Sequence, residues 1–272
     1  MNSSIEIEFS KAKDVFVDHI DSKNFINLDQ SVYFLEKLKS TIKKPLKMIL
    51  LYGPPGTGKS ILLHRLYHDI KKEMNIYLLS HPILDEKEFI NVLYRKIFNR
   101  PINEKVDFNI FIDLVNRNLN ENSATILLDE AQLYSKTQME KIRLLADSRK
   151  IKFIMTLHKT EEEDLIAKGH FQTRIWESIK LTNPTEKELE IYIRKKLLQN
   201  NMFNIANMFS KKHIKIIHGY TKGNFRETNK FLYTMFDIYE YYEKNRPSKI
   251  DYKKISYKFL EMTAIKLGYL NA

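Results

Sequence analysis

A glycine-rich run at residues 53–60 has the residue types needed to hold phosphate groups. It reads Gly-Pro-Pro-Gly-Thr-Gly-Lys-Ser and fits the pattern G-x-x-x-x-G-K-[ST] at every fixed position. Three of the chain's seven glycines lie in this run. Glycine permits the backbone conformations in which successive amides point at one anion. The run therefore predicts a binding loop for a nucleoside triphosphate.

The residues on either side of the loop support that prediction. An apolar stretch precedes it, and a helix-like stretch begins at Lys59, so the loop joins a strand to the start of a helix. We expect Lys59 to reach the β- and γ-phosphates and Ser60 to hold Mg²⁺. The other residues expected to line the nucleotide are Gly53, Pro54, Pro55, Gly56, Thr57, Gly58 and Ile61.

Two adjacent carboxylates follow a second apolar strand, at residues 124–128. Asp129 is expected to hold Mg²⁺ through water, and Glu130 to polarise the attacking water. A carboxylate beside the γ-phosphate favours hydrolysis over transfer to a second substrate. The alternative is an acidic turn at a strand end, which the glycine loop 70 residues earlier disfavours.

Four further polar residues are candidates for contact with the phosphates. Thr156 and His158 end the next predicted strand and could touch the γ-phosphate or the attacking water, or His158 could simply begin a surface loop. Arg174 precedes the last predicted strand, where a guanidinium suits a neighbour's transition state or a surface ion pair. Arg226 opens a helix, the unfavourable end for a cation, which suggests an anionic partner rather than an ordinary first-turn arginine.

Strands and helices alternate through the first two thirds of the chain. This alternation predicts an α/β fold with a parallel five-stranded sheet and helices on both faces, and ligands at the carboxyl ends of the strands. The expected strands are 48–52, 76–80, 125–128, 152–157 and 178–181. The expected helices are 30–42, 59–72, 85–98, 108–119, 136–146 and 161–168.

Only helical periodicity follows residue 181. Thr185, with Glu188 three residues later, predicts a capped helix start. Helices are expected at 186–199, 211–218, 225–242 and 252–266. The predicted domains are therefore an N-terminal segment (1–45) that packs on the core, a nucleotide-binding domain (46–182) and a small helical lid (183–272).

Composition narrows the classes of protein further. The 272 residues include no cysteine, which excludes disulfides, thiolate metal sites and cysteine nucleophiles. The N-terminus has no signal-peptide pattern, and no apolar run approaches the ~18 residues that span a bilayer, so a cytoplasmic location is expected. The net charge of +11 suits either a nucleic-acid or lipid partner, or lysines spread over solvated helices, which we favour because the lysine pairs are dispersed.

The sequence resembles the AAA+ ATPases from about residue 47 to residue 232. Within that class it is most similar to the ExeA/GspA and MshM type, with the transposition ATPase TniB as a near relative. The residues that carry the resemblance are Asp129-Glu130-Ala131-Gln132, Thr173-Arg174 and the segments 140–147, 153–158 and 181–197.

The resemblance implies ATP and Mg²⁺ as cofactors, with roles for residues that match the family's motifs. Arg174 is then the finger that acts on a neighbouring subunit, and Arg226 is the sensor in the lid. His158 stands where the family often has glutamine, so a sensor role there departs from the pattern. The short form of the family, without a membrane span or a peptidoglycan-binding part, fits this chain best.

The resemblance also implies a biological setting. We expect an ATP-dependent oligomer that serves as an accessory ATPase for a type II secretion, type IV pilus or DNA-uptake (transformation) machine, held at the inner membrane through a protein partner. The alternative is a DNA-acting AAA+ ATPase of the transposition-regulator or initiator-loader type. A third hypothesis is a nucleotide-gated switch that hardly cleaves ATP.

Overall fold

A five-stranded parallel sheet forms the centre of the first part of the chain. The computed structural model describes residues 9–17, 25–100, 106–158 and 173–270. Every strand pair is parallel, and the order across the sheet is β2-β3-β4-β1-β5, which confirms the predicted sheet. The strands are β1 Met48–Tyr52, β2 Ile76–Leu79, β3 Ala124–Leu128, β4 Ile151–Leu157 and β5 Ile175–Lys180.

Helices precede, connect and follow these strands. The predicted helix at 161–168 lies outside the described residues. Short 3₁₀ turns occur at Ala131–Leu133 and Pro247–Lys249. The described α-helices are α1 Phe9–Val15, α2 Asp29–Ile42, α3 Lys59–Ile70, α4 Glu86–Phe98, α5 Phe108–Asn118, α6 Lys136–Asp147, α7 Glu186–Gln199, α8 Phe203–Met208, α9 Lys211–Thr221, α10 Phe225–Asn245 and α11 Tyr257–Lys266.

Alternate residues of each central strand pack on opposite faces of the sheet, as the pleat requires. Ile126 and Phe153 lie in one buried cluster with side chains of α4, α5 and α6. Leu127 and Ile154, each one residue further on, lie in a second cluster with side chains of α2 and α3. Strands β1 to β4 are apolar at nearly every position because helices cover both faces of the sheet, as predicted.

The chain divides into two compact units. Of the described residues, an α/β unit comprises residues 25, 32–100, 106–158 and 173–181, and a helical unit comprises residues 9–17, 26–31 and 182–270. The described residues before β1 are divided between the two units. Helix α1 packs in the helical unit, where the Phe9 ring lies 4.4 Å from the ring of Tyr239.

Some element ends differ from the predicted ones. Strand β5 begins three residues earlier than predicted, and α11 begins at Tyr257 rather than at residue 252. Residues before α11 form a turn in which Ile255 is buried and the Ser256 amide donates to the Tyr239 hydroxyl at 2.7 Å. These long-range contacts replace the first turns of the predicted helix.

Candidate nucleotide-binding site

The glycine-rich loop lies between β1 and α3, and its glycines meet specific steric demands. Gly56 and Gly58 have φ angles of 77° and 90°, in the left-handed region that side chains disfavour. A Cβ atom on Gly53 would lie 2.3 Å from the backbone oxygen of Leu181. Glycine is therefore required at three positions of the loop, at two by backbone geometry and at Gly53 by close packing against the residue after β5.

Lys59 is the buried cation of the loop. Its side chain is 5% exposed, and Nζ donates to the carbonyl oxygens of Gly53 at 2.7 Å and Pro54 at 2.9 Å. Thr57 Oγ1 also donates to the Pro54 oxygen, at 2.8 Å. A phosphate oxygen is a stronger acceptor for an ammonium group than a carbonyl is. The lysine is thus held beside the loop backbone, where phosphate oxygens could replace the carbonyls.

The first turn of α3 adds to the attraction for an anion. It contains no acidic residue, so the partial positive charge of the helix N-terminus is not neutralised by its own side chains. Ser60, in that turn, is partly exposed. A hydroxyl there is an oxygen donor of the kind that Mg²⁺ prefers.

The order of the strands places the predicted acidic residues near the glycine-rich loop, at the carboxyl ends of the strands. Strand β4 lies between β1 and β3, and Leu128 pairs with Met155 while Tyr52 pairs with Leu157. All three strands are parallel, so their carboxyl ends face the same way. The glycine loop, the acidic pair and His158 therefore follow three neighbouring strands.

Asp129 is buried, 2% exposed, and is oriented by hydrogen bonds. The Thr156 hydroxyl donates to Asp129 Oδ1 at 2.5 Å, and the Glu130 amide lies 3.1 Å from the same oxygen. The Thr156 oxygen in turn accepts from the Glu130 amide at 2.9 Å. This small network fixes the carboxylate at the end of β3.

Glu130 has an unusual backbone conformation, and two neighbouring side chains contact its carboxylate. Its φ angle of 52° places a non-glycine residue in the left-handed region, which stores strain of about 1–3 kcal/mol. Gln132 Nε2 donates to Glu130 Oε2 at 2.5 Å, and His158 Nε2 lies 3.4 Å from that oxygen. The turn thus directs the carboxylate toward an amide and an imidazole.

The structure gives Thr156, near the end of β4, and His158, which follows β4, different surroundings. Thr156 is buried, and its hydroxyl donates to Asp129, so it orients the metal-binding candidate. His158 lies beside Glu130. Gln132, which belongs to a segment that carries the family resemblance, joins them, because its Nε2 lies 3.5 Å from His158 Nδ1. Within the described residues its buried Oε1 accepts no hydrogen bond.

Arg174 lies at the amino ends of the strands, whereas the glycine-rich loop lies at their carboxyl ends. The next residue, Ile175, pairs with Met48 at the amino end of β1, about 16 Å along the strand from the glycine loop. The Arg174 guanidinium binds the Asp147 carboxylate at 3.2 Å, and Lys47 binds the same carboxylate at 2.7 Å. Burial raises the pKa of Asp147, but hydrogen bonds from Arg174 and Lys47 outweigh it, so the pKa lies below its usual value.

Arg226 belongs to the helical unit, in the first turn of α10. It is exposed, and the Asn224 side chain accepts from the amides of Arg226 and Glu227. The residues before this cap turn sharply, with φ angles of 53° at Lys222 and 74° at Gly223. The local geometry therefore presents Arg226 at a well-formed helix N-terminus.

The α/β unit offers the donors that a nucleotide with Mg²⁺ requires. In the part of the chain that the structure describes, no group of three or more His, Asp or Glu side chains could hold a metal by itself. Mg²⁺ in nucleotide sites is typically held by one or two protein oxygens together with phosphate oxygens. Asp129 and the Ser60 hydroxyl fit that mode, and the loop fits the phosphates.

A family model described as an AAA domain matches residues 43–166, and the structure is similar to solved AAA+ proteins. Cdc6p from Pyrobaculum aerophilum aligns with a TM-score of 0.67 at 15% identity, over 93% of this chain and 70% of that one. The chain has the AAA+ fold.

Two further structures support that fold. The RuvB Holliday junction branch migration motor of Thermotoga maritima has a TM-score of 0.60 at 17% identity, over 93% of this chain and 73% of that one. The ORC2 protein of Aeropyrum pernix, solved with ADPNP and ADP, has a TM-score of 0.58 at 14% identity, over 92% and 70% of the two chains. A search of curated proteins found no match. Among the described residues, no helix is long and apolar enough to cross a membrane.

Proposed function

We propose that this protein binds ATP with Mg²⁺ and hydrolyses it. The observation that carries the proposal is the buried Asp129, fixed by Thr156 at the carboxyl end of β3, with Glu130 beyond it and the phosphate loop two strands away. A metal-binding carboxylate and a base that lie, like the glycine-rich loop, at the carboxyl ends of the strands are suited to catalyse attack by water on a terminal phosphate.

Each residue of the site has a distinct task in this proposal. The loop amides and Lys59 bind the phosphates, and Ser60 with Asp129 holds the metal. Glu130 accepts a proton from the attacking water, while Gln132 and His158 hold its carboxylate in place. When bound, Mg²⁺ neutralises charge on the phosphates.

The experiment that tests the proposal separates binding from hydrolysis. Lys59→Ala should abolish ATP binding, and Glu130→Gln should preserve binding while lowering turnover at least about a hundredfold, because general-base catalysis contributes about 10²–10⁴. Lys72→Ala, an exposed change beyond α3, is the matched control and should behave as wild type. Unchanged ATP affinity in Lys59→Ala would exclude the loop as the binding site, and unchanged turnover in Glu130→Gln would favour a nucleotide-gated switch.

We further propose that subunits associate head to tail and that Arg174 acts on the neighbour's nucleotide. Its place about 16 Å from its own loop supports a role between copies rather than within one. In the same proposal, residues 46–182 form the nucleotide-binding domain, residues 183–272 act as a lid, and Arg226 is the lid's sensor. The resemblance of the sequence to AAA+ proteins supports these assignments.

Two biological settings remain candidates. RuvB is a Holliday junction branch migration motor, and that likeness, together with the net positive charge of this chain, supports action on DNA. The residue pattern shared with the ExeA/GspA and MshM type supports an accessory ATPase of an envelope secretion, pilus or DNA-uptake machine, with a protein partner at the inner membrane. ATP turnover measured against added duplex DNA separates them, since only the first predicts stimulation.

A further inference from the structure

The positive charge of the chain is concentrated in its last third. Residues 183–272 hold 17 Lys and Arg against nine Asp and Glu, a net +8 out of +11 for the whole chain. Within this part, residues 191–226 hold eight Lys and Arg and no acidic residue. The excess is therefore not spread evenly over solvated helices, which calls for a reason.

One helix of this stretch, α9, exposes lysines along a single face. We define the lysine face as Lys211, Lys212, Lys215, Gly219 and Lys222, the last being the residue that follows α9. All five are exposed, and at 100° per residue they fall within an arc of about 100°. The opposite side of the helix is buried in the core of the helical unit. The face is about 16 Å long, from the 1.5 Å rise per residue.

The lysines of this face are not neutralised by the fold. None of the four forms an ion pair with an acidic side chain within the described ranges. Lys211 and Lys212 also occupy the first turn of α9, where the helix macrodipole disfavours cations. Lys211 and Lys212 therefore cost helix stability with no ion pair to offset it, so we look for an anionic partner outside the chain.

Gly219 gives a second, independent indication. It lies inside α9, where glycine is about 0.5–1 kcal/mol less favourable than alanine. A Cβ atom there would meet nothing within 4 Å, and its φ is not in the left-handed region, so neither packing nor backbone geometry requires glycine. A bare backbone among lysines is suited to close approach by a ligand.

We propose that the lysine face of α9 binds the phosphate backbone of duplex DNA. No exposed aromatic or aliphatic side chain lies on the face, so it offers no platform for stacking unpaired bases and no group to insert into a lipid surface. Closely spaced cations with a glycine between them match a continuous row of phosphates, which a duplex presents at one charge per about 1.7 Å of its axis.

This proposal deepens the DNA-acting candidate above and rests on it only for the class of partner. It requires neither hydrolysis nor an oligomer. The face variants described below should therefore bind and hydrolyse ATP as wild type does when no DNA is present. DNA binding through this face without ATP turnover would refute the proposed ATPase and leave this inference intact.

The test compares two charge reversals of equal size. Lys211→Glu with Lys215→Glu alters the face, and Lys87→Glu with Lys136→Glu makes the same change on exposed helix starts of the α/β unit. Each double variant places a glutamate in the first turn of a helix, which the macrodipole favours, so both should fold. Circular dichroism checks this before binding is measured.

Binding is measured by fluorescence anisotropy with a labelled duplex of about 20 base pairs at several salt concentrations. We expect the face variant to bind at least about tenfold more weakly, with a salt slope smaller by about two, because each lost phosphate contact removes about 0.9 from the slope. The control variant should stay near wild type. Equal losses in the two variants, or an unchanged face variant, would overturn the proposal.

Gly219→Gln supplies a readout that a merely structural role would not produce. It should raise the thermal unfolding midpoint, because glutamine is a good helix former, and yet weaken duplex binding several-fold by keeping phosphates away. Wild-type affinity in this variant would refute close approach at Gly219. Tighter binding to phosphatidylserine vesicles or to single-stranded DNA than to the duplex would show that the face serves a different partner.

Discussion

At the scale of single residues, the site depends on one hydroxyl as much as on its carboxylates. The Thr156 side chain donates to Asp129 and accepts from the Glu130 amide, so it joins the metal-binding candidate to the strained turn at Glu130, the proposed base. A buried carboxylate that loses a donor pays the desolvation cost of that lost bond. Thr156 is therefore expected to be a positioning residue rather than a catalytic one.

Thr156→Val tests this role with nearly constant side-chain volume. We expect the free energy of unfolding to fall by about 1–3 kcal/mol, because Asp129 stays buried with one donor fewer. We also expect the Mg²⁺ concentration for half-maximal ATP turnover to rise, since the carboxylate is no longer held in place. Urea unfolding and a Mg²⁺ titration of turnover measure the two effects.

Thr156→Ser is the matched control, because it keeps the hydroxyl and removes only a methyl group. It should recover most of the Mg²⁺ affinity that valine loses. If valine and serine gave the same Mg²⁺ dependence, the hydroxyl would have no part in holding Asp129, and the network would be structural only.

At the scale of elements, the local sequence pattern predicts the bounds of a helix or strand correctly where the element's own residues decide its conformation. Strand β1 and helix α7 have the predicted bounds, the first from an apolar run and the second from the Thr185 capping box. The Thr156–Asp129 bond was beyond sequence reasoning, because it depends on the register that pairs Leu128 with Met155. Residue order along one chain does not contain that register.

Elements held mainly by distant contacts were the ones missed. Helix α1 has only two buried residues, Phe9 and Ala12, and its place is fixed by packing on α10, more than 200 residues away. Strand β5 was predicted too short because it is an edge strand in which Trp176 is 59% exposed, so its first residues do not form an apolar run. Tertiary packing decides such segments, and a short window of sequence does not show it.

Lys152 shows how one element can hold another. It lies in β4, 2% exposed, and its ammonium donates to the backbone oxygens of Ile42 and Lys44 at the end of α2. Burial lowers the pKa of Lys152 to about 8, below its usual 10.5. Between these two pH values the unfolded chain binds more protons than the folded chain, so this group's contribution to stability rises with pH.

We therefore expect the free energy of unfolding of the wild type, measured relative to that of Lys152→Met, to increase as the pH rises above 8. This difference should increase by at most about 1.4 kcal/mol per pH unit, which is the slope expected when the unfolded chain binds one more proton than the folded chain. Urea unfolding of both proteins at pH 7.5 and 9.5, compared with Lys72→Met at an exposed position, measures it. A constant difference between wild type and Lys152→Met would mean that Lys152 stays charged throughout.

At the scale of the whole molecule, the two units carry different parts of the proposed function. The α/β unit contains the loop, the acidic pair and Arg174. The last part of the helical unit, residues 183–272, carries a net charge of +8 out of +11 for the whole chain. Each unit has a buried core of its own. Changes to the lysine face and changes to the nucleotide site should thus be separable, as the tests above require.

Arg174 is the residue whose proposed role exists only in an assembly. Arg174 lies at the amino ends of the strands, away from the loop of its own subunit, so Arg174→Ala should leave ATP binding near normal. The same change should abolish turnover if the neighbour's site needs the guanidinium. Its bond to Asp147 offers a competing structural explanation for any loss. Arg143→Ala removes another guanidinium from the same carboxylate, at 3.0 Å, and is the matched control.

Mixing two inactive variants decides between these explanations. In a head-to-tail assembly of equal parts Arg174→Ala and Glu130→Gln, about a quarter of the interfaces combine an intact Glu130 with a neighbour's intact Arg174. Turnover should therefore return to a fraction of the wild-type rate, although each variant alone is inactive. If Arg143→Ala is also inactive and the mixture shows no turnover, Arg174 supports the fold through Asp147, and the shared site must be abandoned. Rescue in the mixture with an active Arg143→Ala places the finger of one copy at the nucleotide of the next.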